Sequence, residues 1–156
     1  MKNLALLTVV VAIFLFNIRG TVSAQTIRRD IAKEEVNRTL VVEFYNTFFN
    51  LHQVDEAAKV VAENYKQHNP TVPDGKEPFV SYFRNFFKQT PGSKARIVRS
   101  AVEGDIVWLH VHSQNDDKDR GEAVLDIFRV KDGKIVEHWD IIQTIPETSE
   151  NNNTMF

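Results

Sequence analysis

Apolar residues recur with two different periods along this chain, and the change between them divides it in half. Between residues 31 and 51, Leu40, Val41, Phe44, Phe48 and Leu51 follow at spacings of one, three, four and three, which puts them on one stripe of an amphipathic helix. Asp30 stands where an N-cap is needed, with a side chain able to accept an orphan backbone N–H. A shorter helix is expected from Asp55 as its cap through Val61, ending near Asn64, and Tyr65-Lys-Gln-His-Asn-Pro70 then reads as a polar segment stopped by proline. Thr71-Val-Pro-Asp-Gly75 is a loop by its turn residues, and Pro78 suits the first turn of a third helix carrying Phe79, Tyr82, Phe83, Phe86 and Phe87.

From Ala95 the period falls to two. Ala95 to Val102, Ile106 to Ser113, Ala123 to Val130 and Ile135 to Thr144 read as strands, separated by Glu103-Gly-Asp105, by Gln114 to Gly121, and by Lys131-Asp-Gly133. Separators of this kind make hairpins, so the sheet is expected to be antiparallel. Helices followed by a run of hairpins indicate an α+β fold with the helices on one face of a curved sheet. The polar tail, residues 147–156, is expected to be disordered.

Both faces of the last two strands are apolar: Leu125, Ile127, Ile135, Trp139 and Ile141 on one, Val124, Phe128, Val136 and Ile142 on the other. The helices can cover only one face. A second copy of the chain is the simplest cover for the strip of Leu125, Ile127, Trp139 and Ile141, so a homodimer is expected.

The start of the chain changes the picture of where this domain works. Lys2, an apolar run from Leu4 to Phe16, and Val22-Ser-Ala24 have the layout of a secretory signal peptide, with cleavage expected after Ala24. Removing residues 1–24 from the 156 leaves 132, enough for one domain spanning 25–146 and the tail. A secreted or periplasmic protein follows, with no membrane attachment once the segment is gone. That segment holds Lys2 and Arg19 and no acid, so 17 basic residues remain against 21 acidic ones, a formal charge of −4 that argues against a nucleic-acid partner. The absence of cysteine excludes a disulfide framework and a thiol nucleophile.

Candidate chemistry lies in the last strand pair, where Asp126, His138 and Asp140 alternate with Ile127, Val136 and Trp139. Ionisable groups set among core residues are usually paired or functional. Their arrangement depends on the turn. A two-residue hairpin at Asp132-Gly133 sets Val130 opposite Ile135 and Asp126 opposite Trp139, and separates the two acids. A three-residue loop with a bulge sets Val130 opposite Lys134 and Asp126 opposite His138, with Asp140 beside them, and is preferred because it collects the charged groups on one face. Asp140 is the candidate acid/base, since a carboxyl group among apolar side chains can exchange a proton beside a carbonyl near neutral pH. His138 and Asp126 are candidates to position it or to stabilise an enolate oxygen.

His110 and His112 share a face of the second strand, with His110 opposite Asp126 as one possible pairing; without a third histidine at ligand spacing they are read as pocket residues and no metal is expected. His68 and Tyr65 are candidate donors at the pocket, the latter a phenol aimed at an oxyanion, and Phe83 is a candidate lining residue from the aromatic helix.

Tyr65-Lys-Gln-His-Asn-Pro70, Gly75, the Phe-rich third helix, Asp126-Ile-Phe-Arg129, Asp132-Gly-Lys134 and Glu137-His-Trp-Asp140 together resemble the SnoaL-like polyketide cyclase family, within the nuclear transport factor 2-like superfamily. The resemblance runs from about Glu35 to Thr144. It implies a cone-shaped α+β fold in which N-terminal helices pack on a strongly curved antiparallel sheet and enclose a pocket for a small hydrophobic ligand. It also implies that Asp140 serves cofactor-free aldol ring closure, with His138 and Asp126 lining the same pocket. The expected function is therefore acid/base condensation, cyclisation or isomerisation of a small carbonyl compound. The alternative is a ligand-binding or scaffold protein of the same fold without turnover.

Overall fold

The computed structural model describes residues 28–156. The expected signal peptide, residues 1–24, lies outside the described residues. Helix α1, Ile31–Tyr45, starts at Asp30, whose Oδ1 accepts the Lys33 backbone N–H at 3.1 Å, and it continues without a break into a π-helical turn, Asn46–Asn50. Asn50 ends that turn by donating to the Ala95 carbonyl at 3.0 Å and accepting the Ala95 N–H at 2.7 Å. The helix is thereby fastened to the start of the sheet. Helix α3, Lys76–Gln89, carries the second run of aromatic residues as expected. Among the described residues no helix is long and apolar enough to cross a membrane.

The predicted second helix is shorter than its spacing suggests. It comprises α2, Val54–Ala57, and one 3₁₀ turn, Ala58–Val60, after which the chain runs out as strand β1, Val61–Gln67. Strands β2, Lys94–Glu103, β3, Ile106–Gln114, β4, Glu122–Lys131, and β5, Lys134–Thr144, complete a five-stranded sheet in the order β1-β5-β4-β3-β2. β1 is parallel to β5, so the sheet is mixed and not wholly antiparallel as the hairpins alone suggested. The sheet is curled, and the helices pack into its concave face.

Phe48 is fully buried at the centre of that packing, within 4.9 to 6.0 Å, ring centre to ring centre, of Phe44, Phe49, Phe79, Phe83 and Phe87. Val107, Leu109 and Val111 face it from β3, and Val124, Phe128 and Val130 from β4. A second anchor joins α1 to the β2–β3 turn: buried Glu34 accepts the Gly104 N–H at 2.9 Å, and Asn37 donates to the Gly104 carbonyl at 3.1 Å. Residues 147–156 contain no helix or strand, yet Phe156 lies 4.5 Å from the His112 ring and 5.5 Å from that of His110.

Truncating Phe48 removes a large side chain from a site that cannot easily collapse. Phe48→Ala should cost about 3–5 kcal/mol of folding stability, measured as a lowered urea midpoint with an unchanged slope.

Candidate active site

The turn between β4 and β5 is the two-residue hairpin: Lys131 pairs with Lys134, and Asp132 and Gly133 have φ of 50° and 71°, the left-handed values such a turn requires. The preferred three-residue loop, with Val130 opposite Lys134 and Asp126 opposite His138, is therefore corrected. Val130 faces Ile135, but Arg129 faces Glu137, so Val136 is an extra residue in β5. This bulge moves the rest of the strand by one position. Asp126 is opposite Asp140, Phe128 is opposite His138, and Asp126, His138 and Asp140 all point to the concave face. Ile135 turns inward with them and is fully buried, whereas the pattern had assigned it to the outer strip.

Like charges directly across a sheet repel, and each carboxylate here has its own hydrogen-bond donor. Buried Asp126 accepts the Tyr45 hydroxyl at 2.7 Å on Oδ2 and shares a proton with His138 Nε2 at 2.9 Å on Oδ1. Asp140 Oδ2 accepts the Asn69 side-chain amide at 2.6 Å. Its other oxygen makes no hydrogen bond among the described residues and is not fully buried. His138 Nδ1 lies 2.9 Å from Gln67 Oε1. The two phenols of the site are held protonated: burial pushes the Tyr45 and Tyr65 hydroxyls well above the ordinary tyrosine value, and the charge of Asp126 pushes them further.

These polar groups form one wall of a cavity of about 220 Å³. Phe49, Tyr65, Phe79, Tyr82, Phe83 and Phe86 also line it. An apolar cavity of about 150 Å³ accommodates benzene, so this one suits a single ring with substituents.

The geometry places all eight predicted residues. Asp126, His138, Asp140, Tyr65 and Phe83 come together in the cavity, while His68 does not. His68 stands one position out of phase with Gln67 at the end of β1, so its ring stacks on Trp139 at 4.7 Å and its Nε2 meets Glu137 at 2.8 Å on the convex face. His110 and His112 are likewise removed from the pocket. In the β3–β4 register His110 faces Leu125 and His112 faces Ala123, leaving Leu109 opposite Asp126, so both imidazoles point away from the cavity. His110 Nδ1 instead meets Arg99 Nη1 at 3.2 Å, and His112 Nε2 meets the Arg120 carbonyl at 2.8 Å.

Tyr45, Gln67 and Asn69 were not among the predicted site residues. Gln67 and Asn69 alternate with Tyr65 at period two, a signal hidden because this segment reads as a helix end and a polar loop. Tyr45 borders the helical stripe next to Phe44, on the side nearest the sheet.

Among the described residues, Asp126, His138 and Asp140 offer ligand atoms within 4.8 Å of one another. A cation there would need an imidazole lone pair. Both ring nitrogens of His138 lie against acceptor oxygens, which leaves none in this arrangement.

The model of the SnoaL-like domain matches residues 41–138. Solved structures share the fold. A SnoaL-like protein of unknown function from Burkholderia thailandensis is 17% identical, with 70% of this chain and 96% of that chain covered at a TM-score of 0.61. A candidate polyketide cyclase from Bacillus cereus is 27% identical, with 69% and 74% covered at 0.58. A candidate ketosteroid isomerase from Kribbella flavida is 18% identical, with 80% and 90% covered at 0.59. No curated protein matches the chain by sequence.

Removing the Tyr45 hydroxyl leaves one oxygen of buried Asp126 without its donor. Tyr45→Phe should lower stability by about 1–3 kcal/mol, and chemical denaturation against wild type measures it.

Proposed function

Because this chain belongs to the SnoaL-like domain family, we propose that it is an exported acid/base enzyme that condenses, cyclises or isomerises a small hydrophobic carbonyl compound. One observation carries the reading. Glu122, Asp126 and Asp140 all line the cavity, and of the two carboxylates grouped with His138, Asp126 is fully engaged by Tyr45 and His138, whereas Asp140 keeps one oxygen without a hydrogen bond among the described residues. Asp140 is therefore the base, and Asn69 holds its other oxygen in place.

The reaction begins when the free Asp140 oxygen takes a proton from the carbon beside the substrate carbonyl. The C–H electron pair becomes the new C=C bond, and the carbonyl π pair moves to oxygen to form an enolate. Tyr65, a protonated phenol in the same cavity, supplies a hydrogen bond to that oxygen. The enolate carbon then attacks a second carbonyl, whose π pair moves to oxygen to give an alkoxide that takes the proton back from Asp140; in a conjugated dienolate that proton goes instead to the distal carbon and the C=O re-forms, which is isomerisation. The aromatic lining favours a flat apolar substrate and keeps water from the enolate. The Bacillus cereus and Kribbella flavida proteins, a candidate cyclase and a candidate isomerase, support this range of chemistry without choosing within it.

A second copy of the chain belongs to the same proposal. Leu125, Ile127 and Trp139 are only half-buried on the convex face, and Ile141 is 64% exposed. A homodimer through this strip would cover it.

Asp140→Asn preserves shape and hydrogen bonding but not proton exchange. It should fold normally and slow deuterium exchange at the acidic carbon of small 1,3-dicarbonyl compounds by about two to four orders of magnitude, followed by NMR. Equal exchange in an active wild type and the variant would make Asp140 structural. No exchange, together with an apolar compound retained through purification, would favour a binding protein. For the dimer, sedimentation at micromolar concentration should give twice the monomer mass, and Trp139→Asp should reduce it to monomer while leaving cavity binding intact.

A further inference from the structure

We infer that Gln67 is a positioning residue that turns the Tyr65 hydroxyl proton into the cavity, making that proton the recognition point for one acceptor oxygen on a ligand of single-ring size. The inference deepens the acid/base reading of this pocket and rests on it for the ligand class.

The direction of each hydrogen bond follows from one backbone group. The Asn69 N–H can only donate, and it meets Gln67 Oε1 at 3.0 Å, which fixes that end of the amide as the oxygen. The same oxygen is 2.9 Å from His138 Nδ1, so Nδ1 carries a proton. One more proton lies between His138 Nε2 and Asp126 Oδ1 at 2.9 Å. The other end of Gln67 is consequently the amide nitrogen, which donates to the Tyr65 hydroxyl oxygen at 3.2 Å.

Tyr65 therefore acts as an acceptor toward the protein, and its own proton has no acceptor among the described residues. It is 2% exposed and lines the cavity, so that proton is available to a guest. Tyr45 is the contrast, because its proton is already given to Asp126. An unused donor in this cavity selects a carbonyl or enolate oxygen over an apolar group of the same shape.

A glutamate at position 67 inverts only this bond. Its carboxylate still accepts from Asn69 and His138, but its second oxygen now accepts the Tyr65 proton and draws it away from the cavity. The ligand pair that reads this is acetophenone and ethylbenzene, alike in shape and different in one oxygen, titrated into the mature protein with amide chemical shifts followed by NMR. Wild type should bind acetophenone about three- to tenfold more tightly, the range expected of one neutral hydrogen bond. Gln67→Glu and Tyr65→Phe should each abolish the preference, read as the ratio of the two affinities within each variant. A preference that survives in either variant, or is absent from wild type because neither compound or both equally bind, overturns the inference. Nitrogen-15 signals of His138 in wild type provide a check that needs no variant: Nδ1 must be protonated, and an unprotonated Nδ1 overturns it as well. Exchange activity plays no part in these readouts. A wild type with the binding preference but no exchange would lose the enzymatic reading and keep this one.

Discussion

One extra residue in β5 determines what this fold can do. Without the bulge at Val136, the two-residue turn would leave Asp126 opposite Trp139, and Asp140 would point to the convex face. With it, the strand beyond residue 136 changes phase, and Asp126, His138 and Asp140 meet on a concave surface that also carries Val107, Leu109, Val124 and Phe128. The turn and the bulge act together. The left-handed pair Asp132 and Gly133 brings the strands together tightly, and the bulge then corrects the phase for everything that follows.

Such a cluster opposes folding unless its members satisfy one another, since desolvating a charge costs several kcal/mol. Each partner comes from a different element: Tyr45 from α1, Gln67 from β1, and Asn69 from the loop after it. The aromatic core holds those elements against the sheet. Phe49 and Phe83, which line the same cavity as the acids, pack tilted or edge-on against Tyr45 of α1, Phe79 of α3 and each other. Packing and polar satisfaction are thus coupled, because loosening the helices would also remove the donors that make the acids tolerable.

Most of the fold was legible because period and punctuation agreed. The heptad-like spacing around Phe44 and Phe48, and strands bounded by Gly104 and Asp132-Gly133, correspond to elements within one or two residues. β1 escaped for a specific reason. Its buried residues Val61 and Tyr65 are four apart, which is helical spacing as well as strand spacing, and Glu63, between them in the strand period, is exposed beside an irregularity in the β1–β5 pairing. A parallel edge strand also has no hairpin turn to announce it.

The candidate site was legible to the extent that phase could be read. Asp126, His138 and Asp140 were found as acids and an imidazole out of place, although the register expected to join them was different from the one that does. The histidines show the limit. His68, His110 and His112 have the same residue chemistry as His138, but a strand sends alternate side chains to opposite faces, and a shift of one position decides between a cavity and the outside. For His110 and His112 the phase is set across the eight-residue stretch Gln114 to Gly121, ending at a glycine with φ of 81° where a Cβ would come 2.0 Å from the Ser113 carbonyl oxygen. That close approach needs the absence of a side chain at 121. The glycine was visible in the sequence, but the contact that gives it meaning exists only after the strands have paired.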